Sequence, residues 1–225
     1  MTGAELLSQL RFLTNQNSTT LVDADGTRLH NIYFKKLVQA IVDTNEDFFG
    51  EYSTFNLVAN QREYLLPTDI LKIKRLEVTY DGTNWYTGVP MIEHSIGTAI
   101  DDSNATVVDA NYSQSGFQYH VYDASVFLYP KPTSAVTAGG KLYYIKRQSD
   151  LAADSVESVI TIPKEFHSLI SLGASADVFR RLGKEDRARV ADANFARGVQ
   201  EMKAQIAGRN LDDDLQLRPL GQDYN

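Results

Sequence analysis

The chain has 225 residues, of which 43% are hydrophobic and 23% charged, with a formal net charge of −7 and no cysteine. That length allows one large domain or two small ones, each able to bury a real core. The acidic balance argues against a protein that grips nucleic acid by its phosphates, which needs a basic patch. The lack of cysteine excludes disulfides, thiolate metal sites and cysteine nucleophiles, and fits a reducing cytoplasm.

No apolar run approaches the ~20 residues of a membrane helix, and the N-terminal stretch lacks the basic and apolar regions of a signal peptide. Ala4 to Leu13 reads as a short amphipathic helix, with Leu6, Leu7, Leu10 and Leu13 at helical spacing. Asn15 to Thr20 is a polar loop. Leu29 to Phe49 is a longer helix, striped by Ile32, Tyr33, Leu37, Ala40, Ile41 and Phe48 and closed by Gly50.

A β region follows from Tyr52 to about Pro163. Its centre is Glu63 to Tyr86. Here Ile70 to Tyr80 has a strand pattern, Asp81-Gly82 marks a turn, and a second strand begins at Trp85. Leu71 and Ile73 share one parity, whereas Leu76, Val78 and Tyr80 share the other. Such a switch needs an extra residue, which places a β-bulge at Lys74-Arg75. Met91 to Ala99 and Ala105 to Gln114 are ambiguous and compatible with short helices. Phe117 to Tyr122, Val126 to Tyr129 and Lys141 to Lys146 read as strands, the last two separated by Pro130, Pro132 and Gly139-Gly140. Val159 to Ile162 is a short final strand or an extended lead-in.

Pro163 suits the first residue of a helix. Lys164 to Leu182 and Lys184 to Ala207 then carry apolar stripes on either side of Gly183 and form an αα-hairpin. The tail, Gly208 to Asn225, is polar, with two arginines against four aspartates; composition alone gives it no fold of its own. The expected fold class is α+β. A helical body, made of the N-terminal helices (1–50) and the C-terminal hairpin (164–207), carries an inserted antiparallel β region (51–163) and an extended C-terminal tail (208–225).

No catalytic constellation emerges. Counted from Asp23, the sixth and twelfth positions of a calcium loop hold Arg28 and Phe34 where Gly and Glu are required, so Asp23-Ala-Asp25-Gly26 is a turn before a helix. His30, His94, His120 and His167 lack metal-ligand spacing. Gly173 to Asp177 is not a nucleophile elbow, and no phosphate-binding glycine loop is present. We expect no enzyme activity, no metal and no cofactor. The aromatics Trp85, Tyr86, Phe117, Tyr119, Tyr122, Phe127, Tyr129, Tyr143 and Tyr144 fit a sheet core and subunit contacts better than a platform for sugars or bases. Two regions stand out as candidate contact surfaces with another protein chain. One is Asp81, Gly82, Asn84, Trp85 and Tyr86 at the hairpin tip. The other is Arg180, Arg181 and Lys184 at the helical turn, where an acidic surface could dock.

The order of the motifs carries a resemblance. Leu29 and Tyr33 lie in a helix, followed by Phe55 and by Glu63-Tyr64-Leu65-Leu66-Pro67 with Asp69-Ile70. A long strand with a glycine turn leads to Val126-Phe127-Leu128-Tyr129-Pro130-Lys131-Pro132. Leu142-Tyr143-Tyr144 and Ile162-Pro163 then precede the αα-hairpin. Over roughly residues 29 to 207 this resembles the head-to-tail adaptor (connector) proteins of tailed bacteriophages. The resemblance implies a structural protein of the virion neck, assembled in the host cytoplasm. It implies a homo-oligomeric ring, commonly of twelve copies, beneath the portal protein. Such a ring extends the DNA channel, lets double-stranded DNA pass without specific binding, and meets a downstream neck or tail protein. It also implies that the tail docks on the portal, with Leu211, Leu215, Leu217, Arg218, Leu220 and Tyr224 as candidate contacts. The alternatives are another neck or tail-completion protein, or an aromatic-lined carbohydrate-binding module.

Overall fold

The computed structural model describes residues 1–91 and 112–211, the last three by helix backbone alone. Its fold is α+β. The described residues form two compact units: residues 1–48 together with the chain from 148 onward, and residues 49–147.

The first unit is helical. Helix α1 (Gly3–Thr14) opens with a capping box, in which the Thr2 hydroxyl accepts from the Glu5 N–H and the Glu5 carboxylate accepts from the Thr2 N–H. It closes on Asn15, whose φ of 55° places it in the left-handed region that Asn tolerates. The polar loop that follows is braced by Asn17, whose side chain accepts from the N–H groups of Thr19 and Thr20. Arg11 then ties the loop to the next helix through the Leu21 carbonyl and the Asp23 carboxylate.

Helix α2 (Asp23–Thr44) starts six residues before the sequence pattern suggests. The Asp-x-Asp-Gly run, which reads as a turn, is instead its first turn. Carboxylates are favourable there beside the positive end of the helix dipole, and Gly26 lets α1 approach. A Cβ on Gly26 would stand 2.5 Å from a Leu7 methyl carbon. At the other end, α2 stops at Thr44, and Glu46–Phe49 is a separate 3-10 turn. Helix α3 (His167–Arg181) is entered through a 3-10 turn at Lys164–Phe166, after Pro163. Helix α4 (Glu185–Leu211) runs through Gly208, four residues beyond Ala207.

Helix α3 is the centre of this unit and packs on α1, α2 and α4. Its small residues Gly173, Ala174 and Ala176 permit the close approach. The Tyr33 ring lies over Gly173 and meets Phe195 edge-on at 5.1 Å. The chain at 149–163 belongs here too and contains no strand. Leu151, Ile160 and Ile162 are buried, and the Asn31 side chain bonds both the N–H and the carbonyl of Leu151. The expected final strand at Val159 to Ile162 is therefore a 3-10 turn at Glu157–Val159 and an irregular lead-in.

The described residues of the second unit form eight strands: β1 (Gly50–Leu57), β2 (Glu63–Leu65), β3 (Ile70–Val78), β4 (Tyr86–Thr87), β5 (Val89–Pro90), β6 (Gln118–Tyr122), β7 (Ser125–Tyr129) and β8 (Val136–Lys146). They form two four-stranded sheets, ordered β1-β8-β3-β4 and β2-β7-β6-β5. All pairings are antiparallel except β5 with β6. Leu57, Leu76, Val78, Leu142 and Tyr144 of one sheet meet Tyr64, Tyr119, Val126 and Leu128 of the other, with Tyr80 and Phe117, in one core.

The parity switch in β3 is real, and it is made twice. The register slips at Lys74, between Ile73 and Arg75, and again at Leu71, between Ile70 and Lys72. Ile70 and Ile73 thus both pack on the core. Leu71 is the bulged residue and is 51% exposed, so it does not share the buried face. Gly139-Gly140, which read as a separator, lies inside β8. The Phe55 ring sits where a Cβ on Gly140 would be, 2.2 Å from its nearest carbon. A glycine in a strand here marks a close approach rather than a break. Of the two ambiguous stretches, only Met91 and residues 112–114 lie within the described residues, and these are irregular.

Candidate functional site

The hairpin tip is a seven-residue loop, 79–85, because β3 and β4 pair only at Glu77 with Thr87 and at Val78 with Tyr86. The turn expected at Asp81-Gly82 lies within this longer loop, which is wound around one carboxylate. Asp81 accepts from the N–H groups of Thr83 and Asn84 at 2.8 Å, from the Asn84 amide at 2.7 Å and from the Thr79 hydroxyl at 3.1 Å. The backbone donors of Asn84 and Thr83 hold the Asp81 carboxyl well below the usual carboxylate range. Gly82, at φ +76°, supplies the left-handed conformation. Asp81, Gly82 and Asn84 therefore brace the loop. Trp85 is exposed, at 39%, and the Lys141 ammonium lies 3.9 Å above its ring. Tyr86 packs partly against the core.

Pairing register brings further side chains to the outer face of the same sheet. Tyr52 and Tyr143 are opposite each other, with ring centroids 5.9 Å apart. The Arg75 guanidinium lies 4.4 Å over Tyr143, and its Nε donates to Glu77 at 3.0 Å. Trp85, Lys141, Tyr52, Tyr143 and Arg75 make an aromatic and cationic face of the composition that concentrates binding energy in interfaces. Tyr52, Arg75 and Lys141 escape sequence reasoning because their neighbours lie in strands far apart in the chain. The period-two alternation at Tyr52/Thr54, Arg75/Glu77 and Lys141/Tyr143 was the available signal. The rest of the aromatic set is mostly core: Phe117, Tyr119, Tyr129 and Tyr144 are all buried.

At the helical turn the cations divide into two groups. Arg180 binds Asp177 at 2.6 Å and also Asp192. Arg181 reaches Asp25 at 3.3 Å. These two arginines join α3 to α4 and α2. Lys184, Arg187 and Arg189 are exposed and make no ion pair among the described residues. The structure thus separates the predicted trio: Lys184 is available for an outside partner, while Arg180 and Arg181 are already paired.

His30 and His167 lie in ordinary settings, whereas the buried Nε2 of His120 has no hydrogen-bond partner among the described residues. His30 is buried, donates to the Ser171 hydroxyl at 3.3 Å and is pushed down to about 4 by burial. His167 is buried against the Ile162 carbonyl. Among the described residues no group of three or more His, Asp or Glu could hold a metal ion, and no described helix is long and apolar enough to cross a membrane. His94 lies outside the described residues. So do the tail residues Leu215, Leu217, Arg218, Leu220 and Tyr224; Leu211 is the last residue of α4.

The described residues thus form a helical unit with exposed cations at its turn and a β unit with an aromatic and cationic outer face. The sequence comparison specifies the family: the chain belongs to the SU10 adaptor protein family, which it matches over residues 1–220. It is accordingly a bacteriophage structural adaptor and a virion component. A search of curated proteins finds no match.

Proposed function

We propose that this adaptor forms a homo-oligomeric ring, commonly of twelve copies, beneath the portal. It joins capsid to tail and continues the DNA channel. The observation that carries this reading is the family match, which spans both units and continues nine residues past the end of α4, to position 220. A match that includes the polar stretch 212–220 fits a segment with a docking role. In this reading Leu211, Leu215, Leu217, Arg218, Leu220 and Tyr224 bind the portal. The hairpin tip and Lys184 face neighbouring copies or the next neck protein. Repetition of a modest contact around a ring raises overall affinity without new contacts.

The ring lumen is acidic or neutral in this reading. DNA has to move through it, and a continuous basic wall would hold phosphates and slow passage. The net charge of −7 supports this. The test is capture of the tagged chain from infected cells or virions. Co-purification of the portal supports the proposal, and capture of other virion proteins without it overturns it.

A further inference from the structure

The outer face of the β1-β8-β3-β4 sheet holds two cations with bonding capacity to spare. The Arg75 guanidinium lies over the Tyr143 ring and gives only its Nε to Glu77. Its two terminal nitrogens have no partner among the described residues. The Lys141 ammonium lies over the Trp85 ring and makes no hydrogen bond or ion pair among the described residues. Register places Lys141 between Thr54 and Glu77. The nearby carboxylates are already engaged: Glu77 by Arg75, Glu51 by Lys146, and Asp81 by its own loop. Arg75 and Lys141 against Glu77 leave the face at +1 (2 − 1). Tyr52 and Trp85, both exposed, complete it. Each cation is held against a ring, so it has less freedom left to lose on contact. The face presents fixed donors and exposed rings, and its complement is a surface that carries carboxylates.

We propose that this face is the positive half of the contact between adjacent copies of this chain, with carboxylates of one copy at Arg75 and Lys141 of the next. The contact presupposes the ring of copies proposed above. Charge selects the occupant. The whole chain carries −7, so everything outside the face carries −8 (−7 − 1). Identical chains of that charge repel when brought side by side. A positive face set against an acidic one offsets the repulsion locally, and it disfavours the face-to-face arrangement in which cation would meet cation. A head-to-tail contact of two unlike surfaces is also what a closed ring requires. Arg75 suits a carboxylate because its free terminal nitrogens form a planar fork. The phosphates of DNA fit less well, since gripping them takes an extended basic patch.

Carbodiimide joins a carboxylate to an amine where the two touch, and Lys141 supplies the amine. Purified virions and the dilute free chain are treated, separated on a denaturing gel and digested for mass spectrometry. The expected result in virions is a band at twice the mass of the chain, containing Lys141 joined to an Asp or Glu of this same chain and absent from the free chain. Lys141→Arg keeps the charge but offers no amine; it should abolish that link and leave the adaptor content of particles unchanged. Arg75→Glu with Lys141→Glu should lower that content several-fold, with the free chain still folded by circular dichroism. Lys141 joined to a different virion protein would assign the face to another partner and overturn the inference. So would Lys141 left unlinked between copies while other lysines of the chain couple, or a normal adaptor content in the doubly reversed variant. Portal capture by the parent chain is scored separately. Its failure counts against the ring, whereas its success with Lys141 unlinked counts against this contact alone.

Discussion

Gly173 offers the sharpest test of how the helical unit is held together. Replacing a mid-helix glycine by alanine normally stabilises a protein by roughly 0.5–1 kcal/mol. Here the added Cβ would stand 2.2 Å from the Tyr33 ring, at a Cδ carbon, and 2.8 Å from Cγ. A comfortable contact needs ~3.5–4 Å, so the ring or the helix must move by more than an ångström. The ring has little freedom. Tyr33 is 3% exposed, and Phe195 meets it at 5.1 Å. Overpacking of this kind costs about 1–3 kcal/mol. Set against the helix-propensity gain, Gly173→Ala should destabilise by about 1–2 kcal/mol net. That corresponds to ~2–8 °C in melting temperature for a chain of this size, measured by circular dichroism. Gly208→Ala is the control, because nothing lies within 4 Å of its Cβ position; it should be neutral or stabilising. If Gly173→Ala were as stable as the parent, the close packing of α2 on α3 would be refuted.

Phe195→Ala should cost about 2–3 kcal/mol, somewhat below the range for a fully buried ring because Phe195 is only partly buried; an unmoved denaturation midpoint would contradict its role. His30 is neutral in the fold, with its pKa depressed to about 4 from 6.5. The unfolded chain therefore takes up the proton first, and stability should be full above pH 6.5 and fall by about 3 kcal/mol between pH 6.5 and 4. His30→Gln should flatten that slope in denaturation curves, and an unchanged slope would contradict the assignment. Truncation after Leu211 should leave a folded protein, by its circular dichroism and melting, that no longer sediments with portal-bearing heads; normal attachment would remove the docking role of the tail. Lys141→Ala should change the emission of Trp85, the single tryptophan, since it removes the ammonium above the ring.

Local signals in the sequence were reliable where the cause was local. The helical stripes, the polar loop at Asn15 to Thr20, and the parity switch in β3 follow from neighbours within a few residues. Glycine misled in two places for one reason. Gly26 and Gly140 read as breaks, but each serves a side chain from elsewhere, Leu7 or Phe55, that no local window contains. The division of the strands into two sheets was also not legible. The pairing of β1 with β8 joins residues some ninety positions apart, such as Tyr52 and Tyr143. The outer aromatic face depends on that register and was invisible for the same reason. At the helical turn the sequence showed the cations but not which were already paired, because Asp25 and Asp192 come from other helices.

The most direct test of the central claim is electron microscopy of the full-length chain mixed with its purified portal. The account predicts a ring of this chain seated coaxially on the portal, with an open axial channel and without a continuous band of Arg and Lys along its wall. Portal particles that stay bare at saturating adaptor, or a ring that closes the channel, would contradict it.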